Sequence, residues 1–210
     1  MPVVKIVILN WNGAAHLRRF LPSVVRTAPP EVEIVVADNG STDESVAILE
    51  REFPSVRLLR LSENYGFAGG YNRALAQLEG DYWVLLNSDV EPAEGWLEPL
   101  VAALDAAPDV AAVGPKLLAC AERDRFEYAG ASGGFIDWLG FPFCRGRILQ
   151  TLEKDRGQYD DGRDVFWVSG AAFCCRAEVF RRSGGFDADF FAHMEEIDLC
   201  WRMQLAGYRV

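Results

Sequence analysis

Apolar segments of strand length alternate with helical segments along the first half of this chain. Between the apolar segments, apolar residues recur at the three- and four-residue spacing of a helix. This alternation predicts an α/β fold, with a Rossmann-like, doubly wound, mostly parallel sheet and helices on both faces. Ligands of such sheets bind beyond the carboxyl ends of the strands. The predicted strands are residues 3–9, 33–37, 56–61, 82–86 and 110–113.

Helices are predicted between these strands from their caps and their spacing. Ser41 and Glu44 have the spacing of a capping box, so a helix is expected to begin there. Further helices are expected at residues 70–78, 95–106, 177–182 and 195–206, and a buried strand or turn at 166–175. Residues 119–163 show no regular pattern, which is typical of a functional or mobile loop. Residues 208–210 resemble the start of a strand. Because the sequence stops within this element, we expect it to be truncated.

Composition limits the class of protein. With 210 residues, half of them apolar, the chain is expected to form one domain over 1–210, with halves at 1–115 and 116–210. A net charge of −10 argues against nucleic acid as a partner, and it means that a bound polyphosphate would need a cation. The five cysteines form no CxxC pair, which favours reduced thiols. No secretory or membrane-spanning segment is evident, so we expect a cytoplasmic protein, with contact at a membrane surface left open.

Polar residues follow several of the predicted strands. Asn87 and Asp89 stand two apart after residue 86, a spacing that suits a hard divalent cation such as Mg²⁺ or Mn²⁺ but is also common in simple turns. Asp38 ends the second strand, where its carboxylate can accept hydrogen bonds from a base or a ribose. The glycine-rich stretch 64–72 allows close approach of a ligand to the backbone, although it matches neither a dinucleotide fingerprint nor a P-loop.

The C-terminal helix begins with a pair of acids. Glu195 and Glu196 project to different faces, and Glu195 shares its face with Asp198 and Arg202. Acids in a first helical turn ordinarily interact with the helix dipole, and Asp198 with Arg202 is ordinarily an ion pair. One of these carboxylates is alternatively a general base for a hydroxyl group.

Taken together and in order, these motifs resemble those of the family 2 glycosyltransferases, inverting enzymes of the GT-A fold, and within them the rhamnosyltransferase-like bacterial group. No single motif is decisive, but the ordered set covers nearly the whole chain. The matching segments are 7–13, 38–43, 64–72, 86–89, 168–171, 184–187 and 195–202.

The resemblance implies a role for each matched position in a nucleotide-binding half, 1–115, and an acceptor-binding half, 116–210. Asp89 takes the metal role of the family's Asp-x-Asp motif, whose first acid is an amide here. Glu196 takes the role of general base, with Glu195 as the alternative. The implied nucleotide-binding residues are Leu9, Asn10, Trp11, Asp38, Asn64, Gly66, Gly69, Asn72, Asn87 and Ser88. The implied acceptor or sugar residues are Trp167, Ser169, Gly170, Ala171 and Asp187.

The resemblance also implies the partners. The donor is a nucleoside-diphosphate sugar, with dTDP or UDP as the nucleotide, and the cofactor is Mg²⁺ or Mn²⁺. The acceptor is a glycan or a lipid-linked glycan of cell-surface polysaccharide synthesis, which would bring the protein to the inner face of the membrane. Two other readings remain. A nucleotidyltransferase would need a basic, glycine-rich loop after the first strand, which residues 10–13 lack. A non-catalytic sugar-nucleotide-binding module is consistent with the amide at Asn87.

Overall fold

The computed structural model describes all residues 1–210 as ten strands, six α-helices and a one-turn 3-10 helix, Ala188–Phe190. The strands are β1 (Val4–Asn10), β2 (Glu33–Asn39), β3 (Arg57–Leu61), β4 (Tyr82–Leu86), β5 (Ala112–Val113), β6 (Gly134–Ile136), β7 (Pro142–Cys144), β8 (Arg147–Ile148), β9 (Thr151–Leu152) and β10 (Ala172–Arg176). The helices are α1 (Ala14–Thr27), α2 (Ser45–Glu52), α3 (Gly66–Leu75), α4 (Leu97–Ala106), α5 (Ala177–Arg182) and α6 (Glu195–Leu205).

Six strands form the central sheet in the order β3-β2-β1-β4-β10-β5. Strands β1 to β4 run parallel, whereas β10 inserts antiparallel between β4 and β5. The predicted mostly parallel α/β sheet is therefore confirmed. The strand in the second half of the chain completes the sheet that the first half begins.

The sheet buries an apolar layer on each face because alternate residues of a strand point to opposite sides. In β4, Val84 packs with α1, α2 and α4 on one face, whereas Trp83 and Leu85 pack with α3, α5 and α6 on the other. The predicted helices on both faces are confirmed. None of the helices has both the length and the apolar character that a bilayer span requires.

Helix α2 begins later than the predicted capping box. Its first residue is Ser45, whose N–H donates to the Asp43 carboxylate at 2.9 Å. The Ser41 hydroxyl instead accepts from the backbone N–H of Asn12 at 2.9 Å. The capping-box prediction was wrong because Ser41 is used to join the two loops that follow β1 and β2.

Helix α3 begins earlier than predicted, since the glycine-rich stretch is itself the first part of the helix. A Cβ at Gly70 would lie 2.9 Å from both the Asn39 amide nitrogen and a Leu9 methyl carbon. Glycine at this position therefore lets α3 pack directly against β1 and β2. The sequence favours a turn here because glycine is a poor helix former in isolation.

The segment without a sequence pattern, 119–163, contains two short antiparallel hairpins, β6–β7 and β8–β9. Strands of two or three residues are too short to give a detectable alternation, which is why they were missed. The predicted strand at 166–175 is regular only from Ala172 onwards. Near the C-terminus, Arg209 forms an isolated parallel bridge with Val110, and residues 208–210 form no strand.

Candidate functional site

The carboxyl ends of the parallel strands meet at one edge of the sheet. Asn10 ends β1 opposite Asp38 in β2, and β4 ends one residue before Asn87. The Asn87 N–H donates to the carbonyl of Ala171 at 2.9 Å, so the loop that precedes β10 lies against the same edge. The structure thus gathers residues from both halves of the chain, and this edge is the candidate functional site.

Asp38 holds the first two loops of this edge together. Its carboxylate accepts from the Asn10 amide at 3.1 Å and from the Ser41 N–H at 3.0 Å, and the residue is almost fully buried. The other end of the Asn10 amide, Oδ1, is buried without a hydrogen-bond partner. Trp11 beside them is exposed, and Leu9 is half-buried. The edge therefore offers one unpaired acceptor and an open aromatic surface to a ligand.

A second asparagine, Asn39, positions the start of α3. Its amide nitrogen donates to Asn64 Oδ1 at 2.9 Å and to the Gly66 carbonyl at 3.0 Å, while its oxygen accepts from the Tyr65 N–H at 3.1 Å. Asn64 Oδ1 also accepts from the Gly66 N–H at 2.9 Å. Asn39 lies in the matched segment 38–43 at the end of a buried strand, but it was not predicted to be a site residue.

The amides at the start of α3 have partners within the protein. The N–H groups of Phe67 and Ala68 donate to the Phe191 carbonyl at 2.8 and 3.3 Å. The Asn72 side chain donates to the Phe186 carbonyl and accepts from the Phe186 N–H, at 2.7 and 3.0 Å. Segment 186–191 thus spans the helix start. The expected contacts of Asn64, Gly66, Gly69 and Asn72 with a diphosphate remain a prediction.

Asn87, Ser88 and Asp89 form a turn closed by a hydrogen bond from the Val90 N–H to the Asn87 carbonyl at 3.3 Å. Asp89 is exposed and makes no hydrogen bond or ion pair, so its carboxylate is free to bind a ligand. A cavity of about 570 Å³ opens beside the turn, lined by both Asn87 and Asp89. No three His, Cys, Asp or Glu side chains converge as a metal-binding group. A cation here would need most of its oxygen ligands from water or from a bound phosphate group.

The two acids at the start of α6 have carboxyl groups whose pKa values are raised above the usual range. Oε2 of Glu195 and Oε2 of Glu196 are both buried without a hydrogen-bond partner. Burial raises the pKa of Glu196 to about 6, with a further contribution from the neighbouring Glu195 charge. Burial also raises the pKa of Glu195. An unpaired carboxylate with a raised pKa is a poor stabilising element but a good proton acceptor near neutral pH.

Glu195 has no ion-pair partner on the helix face that it shares with Asp198 and Arg202. Arg202 binds Asp198 at 2.6 Å, as the spacing predicted, and its remaining donors reach the carbonyls of Ser183 and Gly185. Glu195 makes no ion pair with Arg202, because the two residues lie two helical turns apart, about 10 Å along the axis. Glu195 instead lies near the buried hydroxyl of Tyr71, whose pKa is raised by burial and, to a lesser extent, by that carboxylate.

The implied acceptor residues separate into two groups. Gly170 adjoins Glu196, since a Cβ at Gly170 would lie 3.7 Å from the Glu196 side chain. Trp167 is buried, and its indole N–H donates to the Phe135 carbonyl at 3.0 Å. Two others have local partners: the Ser169 hydroxyl accepts from the Ala171 N–H, and Asp187 accepts from the Asp189 N–H. Gly170 is therefore the member of this set that directly adjoins an acid of α6.

Comparison with known sequences connects this chain to one enzyme family. Residues 5–183 match the model of Glycosyl transferase family 2. The chain is 31% identical, over 98% of its length and 72% of the relative's, to the N-acetylglucosaminyl-diphospho-decaprenol L-rhamnosyltransferase of Mycobacterium tuberculosis. It is also 31% identical, over 100% of its length, to the O-antigen biosynthesis protein RfbC of Myxococcus xanthus, of which it covers 16%.

Solved structures show the same fold. The mannosyltransferase PcManGT of Pyrobaculum calidifontis, in complex with GDP-Man and Mn²⁺, matches 99% of the chain with a TM-score of 0.69 at 22% identity. S. aureus TarS 1–349 in complex with UDP-GlcNAc matches 97% of the chain with a TM-score of 0.66 at 17% identity. The chain spans 53% of the length of each of these two structures.

Proposed function

The chain belongs to glycosyltransferase family 2, and from that premise we propose that it moves a sugar from a nucleoside diphosphate to an acceptor hydroxyl with inversion at the anomeric carbon. The observation that carries this proposal is Glu196, a half-buried carboxyl group whose Oε2 has no hydrogen-bond partner and whose pKa is about 6. It adjoins the Gly170 loop at the edge where the parallel strands end. A family member needs a proton acceptor at this place, and no other buried carboxylate except Glu195 is free to supply it.

The mechanism follows from these groups. As the acceptor hydroxyl attacks the anomeric carbon, Glu196 takes its proton, and the bond from that carbon to the diphosphate oxygen breaks. The low dielectric that raises the pKa of Glu196 also strengthens its attraction for the proton. We place the transferred sugar in the cavity beside Asp89, since that cavity is bounded by the strand-end turn and by Ala171 next to Gly170.

We propose that Asp89 would hold a divalent cation when the donor is bound. The exposed and unpaired carboxylate fits this role, because it has no competing cation in the protein. The mannosyltransferase neighbour with Mn²⁺ supports it. When bound, Mg²⁺ or Mn²⁺ would neutralise charge on the diphosphate leaving group. Asn87 contributes at most a neutral amide oxygen.

Asp89→Asn is expected to abolish any increase in donor affinity on adding Mg²⁺ or Mn²⁺, because an amide binds hard cations more weakly than a carboxylate. Isothermal titration with a sugar nucleotide, with and without the metal, measures this. Glu91→Gln is the matched control, since it removes a nearby acid of the same cavity. An unchanged metal effect in the Asp89 variant would exclude this residue as a ligand.

Asp38→Ala is expected to weaken nucleoside-diphosphate binding by about 1–3 kcal/mol, the usual cost of leaving polar groups without partners. In this structure Asp38 aligns Asn10 and Ser41, so the loss would come from misplaced loops as well as from any direct contact. Calorimetry with UDP and dTDP, together with a thermal melt, separates lost affinity from lost folding. Equal affinity in a folded variant would contradict the assignment.

For the substrates, we propose a dTDP- or UDP-sugar as the donor and a lipid-linked glycan as the acceptor. The activity of the rhamnosyltransferase relative supports the acceptor class, and the sugar nucleotides bound by the solved neighbours support the donor class. We place the reaction in the cytoplasm, where its five free cysteines would stay reduced. A panel of sugar nucleotides tests the proposal by calorimetry and donor hydrolysis. If the longest natural form of the protein binds a sugar nucleotide but neither hydrolyses it nor transfers its sugar, the protein is a binding module rather than an enzyme.

A further inference from the structure

The first hairpin of the second half exposes a group of large apolar side chains. Trp138 at its turn is 91% exposed, and Leu139 and Phe141 beside it are also exposed. The same two-hairpin segment exposes further apolar side chains, Phe143, Ile148 and Leu149. Single exposed apolar residues are ordinary on a protein surface, whereas a group of this size marks a contact surface. We call residues 137–141 the apolar turn.

The backbone of the apolar turn is held in one shape by its own hydrogen bonds. The Asp137 carboxylate accepts from the N–H groups of Leu139 and Phe141, both at 2.9 Å. The Asp137 N–H donates to the Phe141 carbonyl at 3.0 Å, and Gly140 takes a φ of +91° that suits glycine. The turn therefore presents Trp138 and Leu139 outwards without any packing partner of its own.

Charge around the apolar turn differs from that of the rest of the chain. The protein carries a net charge of −10, yet Asp137 is the one acid between residues 128 and 152. That acid is occupied by the turn's own N–H groups. In the same interval, Arg147 has no carboxylate within salt-bridge distance and lies over the Tyr128 ring at 4.2 Å. An apolar tip with an unpaired arginine in the same two-hairpin segment is complementary to an anionic lipid surface.

The root of the hairpin adjoins the candidate active site. At Gly134, where β6 begins, the N–H donates to the Trp167 carbonyl at 2.8 Å, and Trp167 stands three residues before Gly170. At about 3.3 Å per residue, the apolar turn lies about 10–15 Å from Gly134. A lipid surface touching the turn would therefore lie on the side of the fold where β6 joins the segment that leads to Gly170.

We propose that the apolar turn inserts into the surface of a lipid bilayer containing anionic lipids and so holds the acceptor-binding half against the membrane. Tryptophan and phenylalanine are the side chains that settle at the boundary between headgroups and acyl chains. This inference rests on the proposed function in one respect: a lipid-linked acceptor would lie in the same membrane surface.

Flotation with vesicles tests the proposal on the full chain. We expect the protein to float with vesicles of phosphatidylcholine and phosphatidylglycerol, and less with phosphatidylcholine alone. Replacing Trp138, Leu139 and Phe141 together by serine should lower the bound fraction by about tenfold or more, because three apolar side chains no longer leave water. Leu205→Ser, at an exposed apolar residue of α6, is the matched control and should float as the wild type does.

Arg147→Gln gives a second, independent readout. It should reduce the preference for phosphatidylglycerol while leaving the weaker binding to phosphatidylcholine unchanged. Donor binding by calorimetry should be equal in the wild type and the triple serine variant, since the turn lies outside the nucleotide half. If the wild type does not bind a donor, the proposed function is wrong, whereas the vesicle-binding result still stands.

Three outcomes would overturn the membrane proposal. In the first, the wild type fails to float with either kind of vesicle. In the second, the triple serine variant floats as well as the wild type does. In the third, sedimentation shows a concentration-dependent dimer that the triple variant loses while vesicle binding is absent, which would assign the apolar turn to a second copy of the chain.

Discussion

Replacing Glu196 by glutamine is expected to lower the rate of sugar transfer by about 10²–10⁴-fold, the usual contribution of a positioned general base. Glutamine keeps the size of the side chain but cannot take the acceptor proton. Donor affinity should change little, because Glu196 adjoins Gly170 rather than the loops that follow β1 and β2. The measurement is transfer under single-turnover conditions with the donor that the wild type accepts, in the longest natural form of the protein.

Folding provides an internal control for this variant. A carboxyl group whose pKa is raised in the folded state contributes stability at low pH and loses it as the pH rises through that value. At pH 7, Glu196→Gln removes the cost of ionising this carboxyl group in the folded state. For a pKa shift of this size, that cost is about 2 kcal/mol of unfolding free energy. The variant should therefore melt no lower than the wild type. A large fall in melting temperature would mean that lost activity reflects lost structure.

The pH dependence separates Glu196 from Glu195. The base works when ionised, so transfer by the wild type should rise with pH and reach half its plateau near pH 6. Glu195→Gln removes a neighbouring negative charge that raises the Glu196 pKa, so the midpoint should move to lower pH. If Glu195→Gln loses transfer and Glu196→Gln keeps it, the two roles are exchanged. Full transfer in both variants would place the base outside this pair.

Asn39→Asp is expected to destabilise the fold by about 3–5 kcal/mol, the range found when a buried charge lacks its partner. The Asn39 amide nitrogen donates to two oxygens, Asn64 Oδ1 and the Gly66 carbonyl. A carboxylate has no proton to donate and would face both oxygens with like partial charge, in a residue that is only 2% exposed. Chemical denaturation measures the loss, and a weakened donor affinity should accompany it.

Asn64→Asp is the matched control for this change. The Asn64 side chain acts through Oδ1, which accepts from Asn39 and from the Gly66 N–H, and a carboxylate keeps that acceptor. Asn64 is also exposed, so the added charge stays hydrated. This variant should be within about 0.5 kcal/mol of the wild type, as surface substitutions usually are. Equal losses in the two variants would show that charge alone, rather than the donor at Asn39, decides the effect.

The sheet and its ligand-binding edge could be predicted from the sequence because they depend on local patterns. Buried strands such as Tyr82–Leu86 are continuous apolar runs, and polar residues follow them. The start of α6 could be predicted as well, since Glu195 and Glu196 precede a helical apolar stripe. These features need no knowledge of what lies across the fold.

Features that depend on long-range contacts could not be predicted. Asn39 is one polar residue at a strand end, and its importance appears only when Asn64 and Gly66 arrive beside it. The closure of the α3 start by the Phe191 carbonyl joins residues more than a hundred positions apart. Ser41 was assigned to a helix cap because its partner, Asn12, belongs to another loop. In each case a distant partner overrides the local preference.

Strand β10 has a consequence for how the protein is made. It is the only neighbour of β5 in the sheet, and it covers the edge of β4, yet it lies some sixty residues after β5 along the chain. During synthesis, the edge of β4 stays open until residues 172–176 have left the ribosome, which takes seconds at about 5–20 residues per second. An uncovered apolar strand edge is a template for aggregation. A nascent chain stalled between β5 and β10 would therefore be the form most in need of a chaperone.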